Sequence, residues 1–193
     1  MARPRKFDPD DLLEHATQAF WAKGYKGTSI QDLVDATGVN RGSLYNTFGD
    51  KAGLFAAVME RYAERSAAQG LIETARDGPP RKTIRLFFKN LYKRAKHDAL
   101  NRGCLMTNTA AELANRDEHI AWWMRDNLGA LEDAFTLIIR RGQKKGEINP
   151  DKKARPLARF LVGVTQGILV VAKANPDPEI IRDIVKNALD SLD

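Results

Sequence analysis

Nearly every periodic segment of this chain carries apolar residues three and four positions apart, the repeat of an amphipathic helix. No Asn-Gly or Asp-Gly pair sits between alternating runs as a hairpin would require. The pattern predicts an all-α fold of about nine helices.

The first helix opens with Asp8 as N-cap, Pro9 at the first helical position and acidic Asp10 and Asp11 facing the positive helix end. Phe7 and Leu12 suit a hydrophobic staple; Leu12, Ala16 and Phe20 line one face, and Gly24 offers a left-handed stop. A second helix starts at Thr28, read as N-cap with Gln31 completing a capping box, and turns Ile30, Leu33 and Val34 inward. Gly38 permits a sharp turn, Asn40 caps a short third helix anchored by Leu44 and Phe48, and Gly49-Asp50 opens a fourth over 51–68. The stretch 70–80, with Gly78-Pro79-Pro80, reads as a break. Further helices are expected at about 81–99, 104–114, 117–144, 151–174 and 177–191, with Pro156 marking a later start or a kink. The expected organisation is a helix-turn-helix domain over 1–55, the fourth helix as connector, and a signal-sensing and dimerisation body over 69–193.

Three short helices and a longer one, with a four-residue Gly-containing turn before the third, form the helix-turn-helix plan. With Leu44 and Phe48 in the core, the first residues of the third helix project into a DNA major groove. Asn40 stands at its cap, Arg41 can fork onto guanine, Gly42 lets backbone approach closely, and Ser43 can bond a base edge or phosphate. Tyr45 can reach phosphate, and Lys51 adds a cation to the N–H groups opening the next helix, a phosphate clamp.

Composition restricts the alternatives. A 43% hydrophobic content excludes a disordered chain, and a net charge of +6 suits a polyanionic partner. Yet residues 1–60 hold 7 Lys+Arg against 8 Asp+Glu, and the excess lies in residues 61–193, with 24 against 17. DNA binding by the first domain must therefore rest on where individual donors sit. The one cysteine, Cys104, precludes an intrachain disulfide, and His15, His97 and His119 lack zinc-ligand spacing. With no apolar run approaching ~18 residues, the chain is expected to be cytoplasmic, without a membrane partner. No nucleotide loop, metal set or nucleophile elbow is present, so neither enzymatic activity nor a cofactor is expected.

The run Ala16, Phe20, Gly24-Tyr25, Thr28-Ser29-Ile30, Leu33, Gly38-Val39, Gly42-Ser43-Leu44-Tyr45, Phe48-Gly49-Asp50-Lys51 and Leu54 resembles the tetracycline-repressor (TetR) family. The likeness covers residues 10–57 and implies a DNA-binding transcriptional regulator, expected to be a repressor, with an activator as the alternative. It implies DNA contacts at Thr28, Arg41, Ser43, Tyr45 and Lys51, and an arm holding Arg5 and Lys6 similar to family arms that reach a minor groove.

One short reading helix spans few base pairs, so a homodimer on a pseudo-palindromic double-stranded operator is expected. Leu161, Val164 and Ile168 of the eighth helix, with Ile181, Ile184, Val185 and Ala188 of the ninth, are the expected interface; the resemblance likewise implies a four-helix dimer bundle. For sensing, Phe88, Tyr92, Met106, Trp122 and Trp123 could line a pocket for a small molecule. The alternative is Cys104, beside Arg102 at a helix start, as a thiol modified by an electrophile or oxidant. Arg102-Gly103-Cys104-Leu105 resembles a Gly-Cys-Leu motif in a branch of the family. An inert buried thiol fits the same residues.

Overall fold

The computed structural model describes residues 8–98 and 100–193, and the expected arm residues Arg5 and Lys6, with the staple residue Phe7, lie outside them. Among the described residues there are ten helices, forming two compact units that divide between Glu64 and Arg65.

The first unit holds α1 (Pro9–Gly27), α2 (Ile30–Thr37), α3 (Arg41–Phe48) and α4 (Lys51–Glu64). Asp8 caps α1 by accepting from the Asp10 N–H at 2.9 Å. Leu12, Ala16 and Phe20 form the inner face, and α4 covers it with Leu54, Phe55, Val58, Met59 and Tyr62. Arg61 ties α4 to the start of α1 through Glu14 at 2.8 Å and Asp10 at 3.4 Å. With five buried side chains in this core, α4 belongs to the reader unit and is more than a connector.

Gly24 has φ +72° but ψ 172°, outside the left-handed helical region of the expected stop, so α1 kinks there, resumes for one more turn and ends at Gly27. The α2 cap falls one residue later than expected. Ser29 is the N-cap, and Asp32 completes the box by accepting from the Ser29 N–H at 2.7 Å. An ionised carboxylate is the better acceptor here, and Asp32 also takes Lys23 Nζ at 2.6 Å. Thr28 is fully buried, and its hydroxyl donates to the Gly24 carbonyl at 2.6 Å, securing the kink.

The second unit holds α5 (Ala67–Thr74), α6 (Pro80–His97), α7 (Leu105–Leu113), α8 (Glu118–Lys144), α9 (Ala154–Ala174) and α10 (Pro178–Asp190). The tenth helix arises because the expected 51–68 helix breaks at Arg65-Ser66. Ser66 then caps α5, accepting from the Gln69 N–H at 3.1 Å, and Leu71 and Ala75 anchor it. Gly70 lies on its exposed side, where glycine weakens a helix without ending it. Gly78-Pro79 makes the turn into α6.

The body core is built from Ile84, Phe87, Phe88 and Leu91 of α6, Leu131, Phe135, Ile138 and Ile139 of α8, and Leu157, Leu161 and Ile168 of α9. Phe88 therefore packs as core, stacked 6.2 Å from Phe135. Pro156 lies in the first turn of α9, where a backbone N–H has no intrahelical acceptor, so the helix starts without a kink there.

α9 is long and apolar enough to cross a membrane by length and composition, contrary to the expectation that no segment would be. Leu157, Leu161, Thr165 and Ile168 are buried in the body, so its inner face is that of a core helix.

The expected interface residues need correction for the same reason. Leu161, Ile168, Ile181 and Ala188 are all at most 2% exposed within a single chain and are its own core. Val164, Ile184 and Val185 are half-buried. The outward positions of α10 are Arg182, Asp183, Lys186, Asn187 and Asp190, all polar. Besides Leu86, Leu100 and Trp122, the exposed large apolar side chains are Phe160 and Val170 of α9, with Gly163 and Gly167 between them, and Leu137 of α8.

Candidate nucleic-acid interface

The reading helix is positioned by its ends and by one anchor. α2 stops at Gly38, whose φ of +68° and ψ of 9° form a left-handed cap with its N–H donating to Val34 O at 2.9 Å. Only Gly38, Val39 and Asn40 separate α2 from α3, a tighter turn than expected. Asn40 caps α3, with Oδ1 accepting from the Ser43 N–H at 2.9 Å. Leu44 is buried, and Phe48 is half-buried at the helix end. Past α3, Asp50 Oδ1 accepts from the Gly53 N–H at 2.8 Å and starts α4. Gly53 permits this junction, because a Cβ there would collide with the Phe48 carbonyl oxygen.

With Leu44 fixed inward, Arg41 and Gly42 are exposed at the start of α3, while Ser43 and Tyr45 are half-buried. Arg41 and Tyr45 are one turn apart, and the guanidinium lies 5.1 Å from the ring centroid. This stacking presents planar donors beside a phenol hydroxyl, the combination that reads a guanine edge and an adjoining phosphate. Gly42 leaves its side of the first turn open to close backbone approach.

Lys51 Nζ sits 4.4 Å from the centroid of Tyr25, whose ring packs 4.8 Å from Phe55. The lysine is thereby steered by a ring of the reader core. One N–H of the expected phosphate clamp, that of Gly53, is already taken by Asp50.

The structure thus brings Asn40, Arg41, Gly42, Ser43 and Tyr45 together at the start of α3, with Lys51 at the start of α4. Thr28 is different: it has no exposed surface and its hydroxyl is engaged, which removes its side chain from the contact set. Asn46 and Thr47, both exposed on α3, were not singled out from the sequence. Their positions four residues after Gly42 and Ser43 were the available signal.

The expected sensor residues are dispersed. Trp122 is 61% exposed, Phe88 is core, and Tyr92, Met106 and Trp123 are half-buried. None of the five lines the cleft of about 430 Å³ that runs between α5 and α6. Cys104 is the N-cap residue of α7 and is buried, whereas a reactive thiol needs access. Among the described residues no cluster of His, Cys, Asp or Glu could hold a metal ion.

A short helix presented by a glycine turn, with stacked Arg and Tyr at its exposed start, defines a helix-turn-helix DNA-binding regulator. The comparisons with known proteins extend this to both units. Residues 12–58 match the family model for bacterial regulatory proteins of the tetR family, and residues 80–188 match the tetracyclin repressor-like C-terminal domain. The chain belongs to the TetR family of transcriptional regulators. It is 31% identical to the uncharacterized HTH-type transcriptional regulator YezE of Bacillus subtilis (strain 168), over 100% of both chains. It is 30% identical to the HTH-type transcriptional repressor ComR of Escherichia coli (strain K12), over 97% of this chain and 90% of that one. Among solved structures, a cysteine mutant of the TetR family transcriptional regulator CifR, complexed with 26bp double-strand operator DNA, superposes with a TM-score of 0.86. That match has 29% identity and covers 99% of this chain and 100% of the other.

Proposed function

We propose that this protein is a homodimeric transcriptional repressor that binds a pseudo-palindromic double-stranded operator and is released by a small molecule. The observation that carries the reading is the outward Arg41–Tyr45 pair on a helix whose opposite side is locked by Leu44. Arg41 and Ser43 address base edges in the major groove, while Tyr45 and Lys51 hold flanking phosphates. ComR, a repressor, and CifR, bound to operator DNA, support the same role for this chain.

Dimerisation follows from the small footprint of one reading helix. Its surface is the outer stripe of α9, where Phe160, Gly163, Gly167 and Val170 recur at steps of three and four, joined by Leu137 of α8. Two such stripes, with glycines allowing close approach, form a four-helix bundle from α8 and α9 of each protomer. α10 contributes its apolar face to its own protomer.

Release requires a ligand with higher affinity for the arrangement that does not fit the operator. A pool of genomic fragments selected by the purified protein, then sequenced and tested by gel shift against rising salt, checks the proposal. A two-fold symmetric motif retained when nonspecific DNA has been competed away is the expected result. Binding that is equal for all fragments would refute it.

A further inference from the structure

The charge excess of the body is concentrated on one helix. α6 carries seven Lys and Arg and not one Asp or Glu, which equals the entire excess over residues 61–193. One of these cations, Lys82, sits at the apolar cleft between α5 and α6.

The walls of that cleft have a defined order. Its closed end is the turn at Gly78-Pro79, where the Gly78 N–H donates to Thr74 O at 3.0 Å and the Thr83 hydroxyl donates to Pro79 O at 2.9 Å. From there Leu71 and Gly70 of α5 face Leu86 and Phe87 of α6, and Asn90 stands toward the opposite end. Leu86 is 52% exposed although its neighbours Phe87 and Phe88 are core, so the cleft keeps a large apolar side chain in contact with solvent. The volume of about 430 Å³ falls inside the range of small-molecule sites. Over the α5 residues 67–74 the groove runs about 11 Å, long and narrow rather than round.

One cation sets the charge of the occupant. Lys82 takes part in no ion pair among the described residues, whereas the Arg81 N–H at the start of α6 already donates to Glu147 at 3.0 Å and the Arg81 guanidinium pairs with Asp193. The hydroxyls of Thr74 and Thr83 are engaged with backbone carbonyls, so they add no competing acceptor demand. An apolar trough with a cation at one end recognises an anion carried on an apolar chain.

We propose that the α5–α6 cleft is the effector site and that its ligand class is an amphipathic anion, with its head on Lys82 and its chain along Leu71, Leu86 and Phe87. This deepens the repressor reading and rests on it for the regulatory consequence. α5 is the first element of the body, and its cap Ser66 follows Glu64, the last residue of the reader unit, by two positions. A ligand that parts α5 from α6 therefore acts on the stretch of chain that leads directly into α4.

The test uses the full-length protein and decanoate below its micellar range, with decan-1-ol and decylamine as neutral and cationic controls. Calorimetry without DNA and gel shift on the selected operator are read in parallel. Decanoate is expected to bind and release DNA, and the two controls to do neither at equal concentration. Lys82→Gln should weaken decanoate about tenfold, the loss of one charge-assisted contact. Gly70→Leu places a side chain where a Cβ meets open space, so the helix is kept and the trough is filled. That variant should bind operator as before and no longer bind decanoate. Equal binding of decanoate and decanol, or an undiminished response in Gly70→Leu, overturns the proposal. Decanoate binding by a protein that selects no DNA would leave the cleft assignment standing and remove the repressor reading. Operator selection without decanoate binding would do the reverse.

Discussion

The guanidinium of Arg41 lies 5.1 Å from the ring centroid of Tyr45, one turn further along α3. Each holds the other in place before DNA arrives, so the two should act as a unit. Arg41→Ala is expected to weaken binding to the selected operator by about tenfold or more, with loss of preference at the base it reads. Arg41→Lys should recover little, since an ammonium lacks the planar fork. Tyr45→Phe keeps the platform and should cost less than Tyr45→Ala. Quantitative gel shifts on matched and single-base-changed operators measure all four variants, and an Arg41→Ala protein with unchanged base preference would show that Arg41 touches only backbone.

Thr28 offers a contrast, because its hydroxyl is buried on the Gly24 carbonyl. Thr28→Val should lower thermal stability by roughly 1–3 kcal/mol, as expected when a buried carbonyl loses its donor. Operator affinity of the folded fraction should stay near the parent value. A large affinity loss without destabilisation would return Thr28 to the contact set.

Gly53 tests the junction between reading helix and α4. Gly53→Ala forces a methyl against the Phe48 carbonyl oxygen. Overpacking of this kind costs about 1–3 kcal/mol, and DNA binding should fall with it as α3 shifts. Denaturant unfolding followed by circular dichroism reads the first effect.

Acid stability should depend on Asp32. Hydrogen bonds from Lys23 and then from Ser29 hold its carboxyl well below the ordinary value of 3.8. A depressed folded-state pKa stabilises the fold above the unfolded value, and the contribution is lost as pH falls from 3.8 toward the lower folded-state value. Asp32→Asn should therefore flatten the acid limb of the stability curve below that pH. Thermal melts across the acid range would show it, and identical limbs in both proteins would argue that the Lys23 pair contributes nothing.

Gly163 separates folding from assembly. A Cβ at Gly163 meets nothing within 4 Å inside the chain, so Gly163→Leu leaves the protomer intact. If α9 is the dimer seam, the leucine should drive the protein to monomers and reduce operator affinity, with helix content unchanged. Sedimentation of parent and variant at equal concentration decides it, and a variant that remains dimeric would move the seam elsewhere.

The sequence by itself determined the helical periodicity, the reading helix and the residues at its start. These depend on local chemistry: Asn40 can cap, Gly38 can turn left-handed, and Leu44 and Phe48 recur on one side of a short helix. It also determined the family, because the motif over the first unit is long. The tertiary structure decided what one-dimensional spacing cannot separate, namely which of two adjacent polar residues is used and which side of an apolar helix faces outward. Thr28 and Ser29 are both good caps, and burial of the Thr28 hydroxyl on the Gly24 carbonyl leaves Ser29 to cap α2. Leu161 and Phe160 are both apolar on α9, and only the packing of α8 and α10 buries the first and exposes the second. Helix propensity is a property of a residue and its near neighbours, whereas burial is a property of what arrives from a distance along the chain.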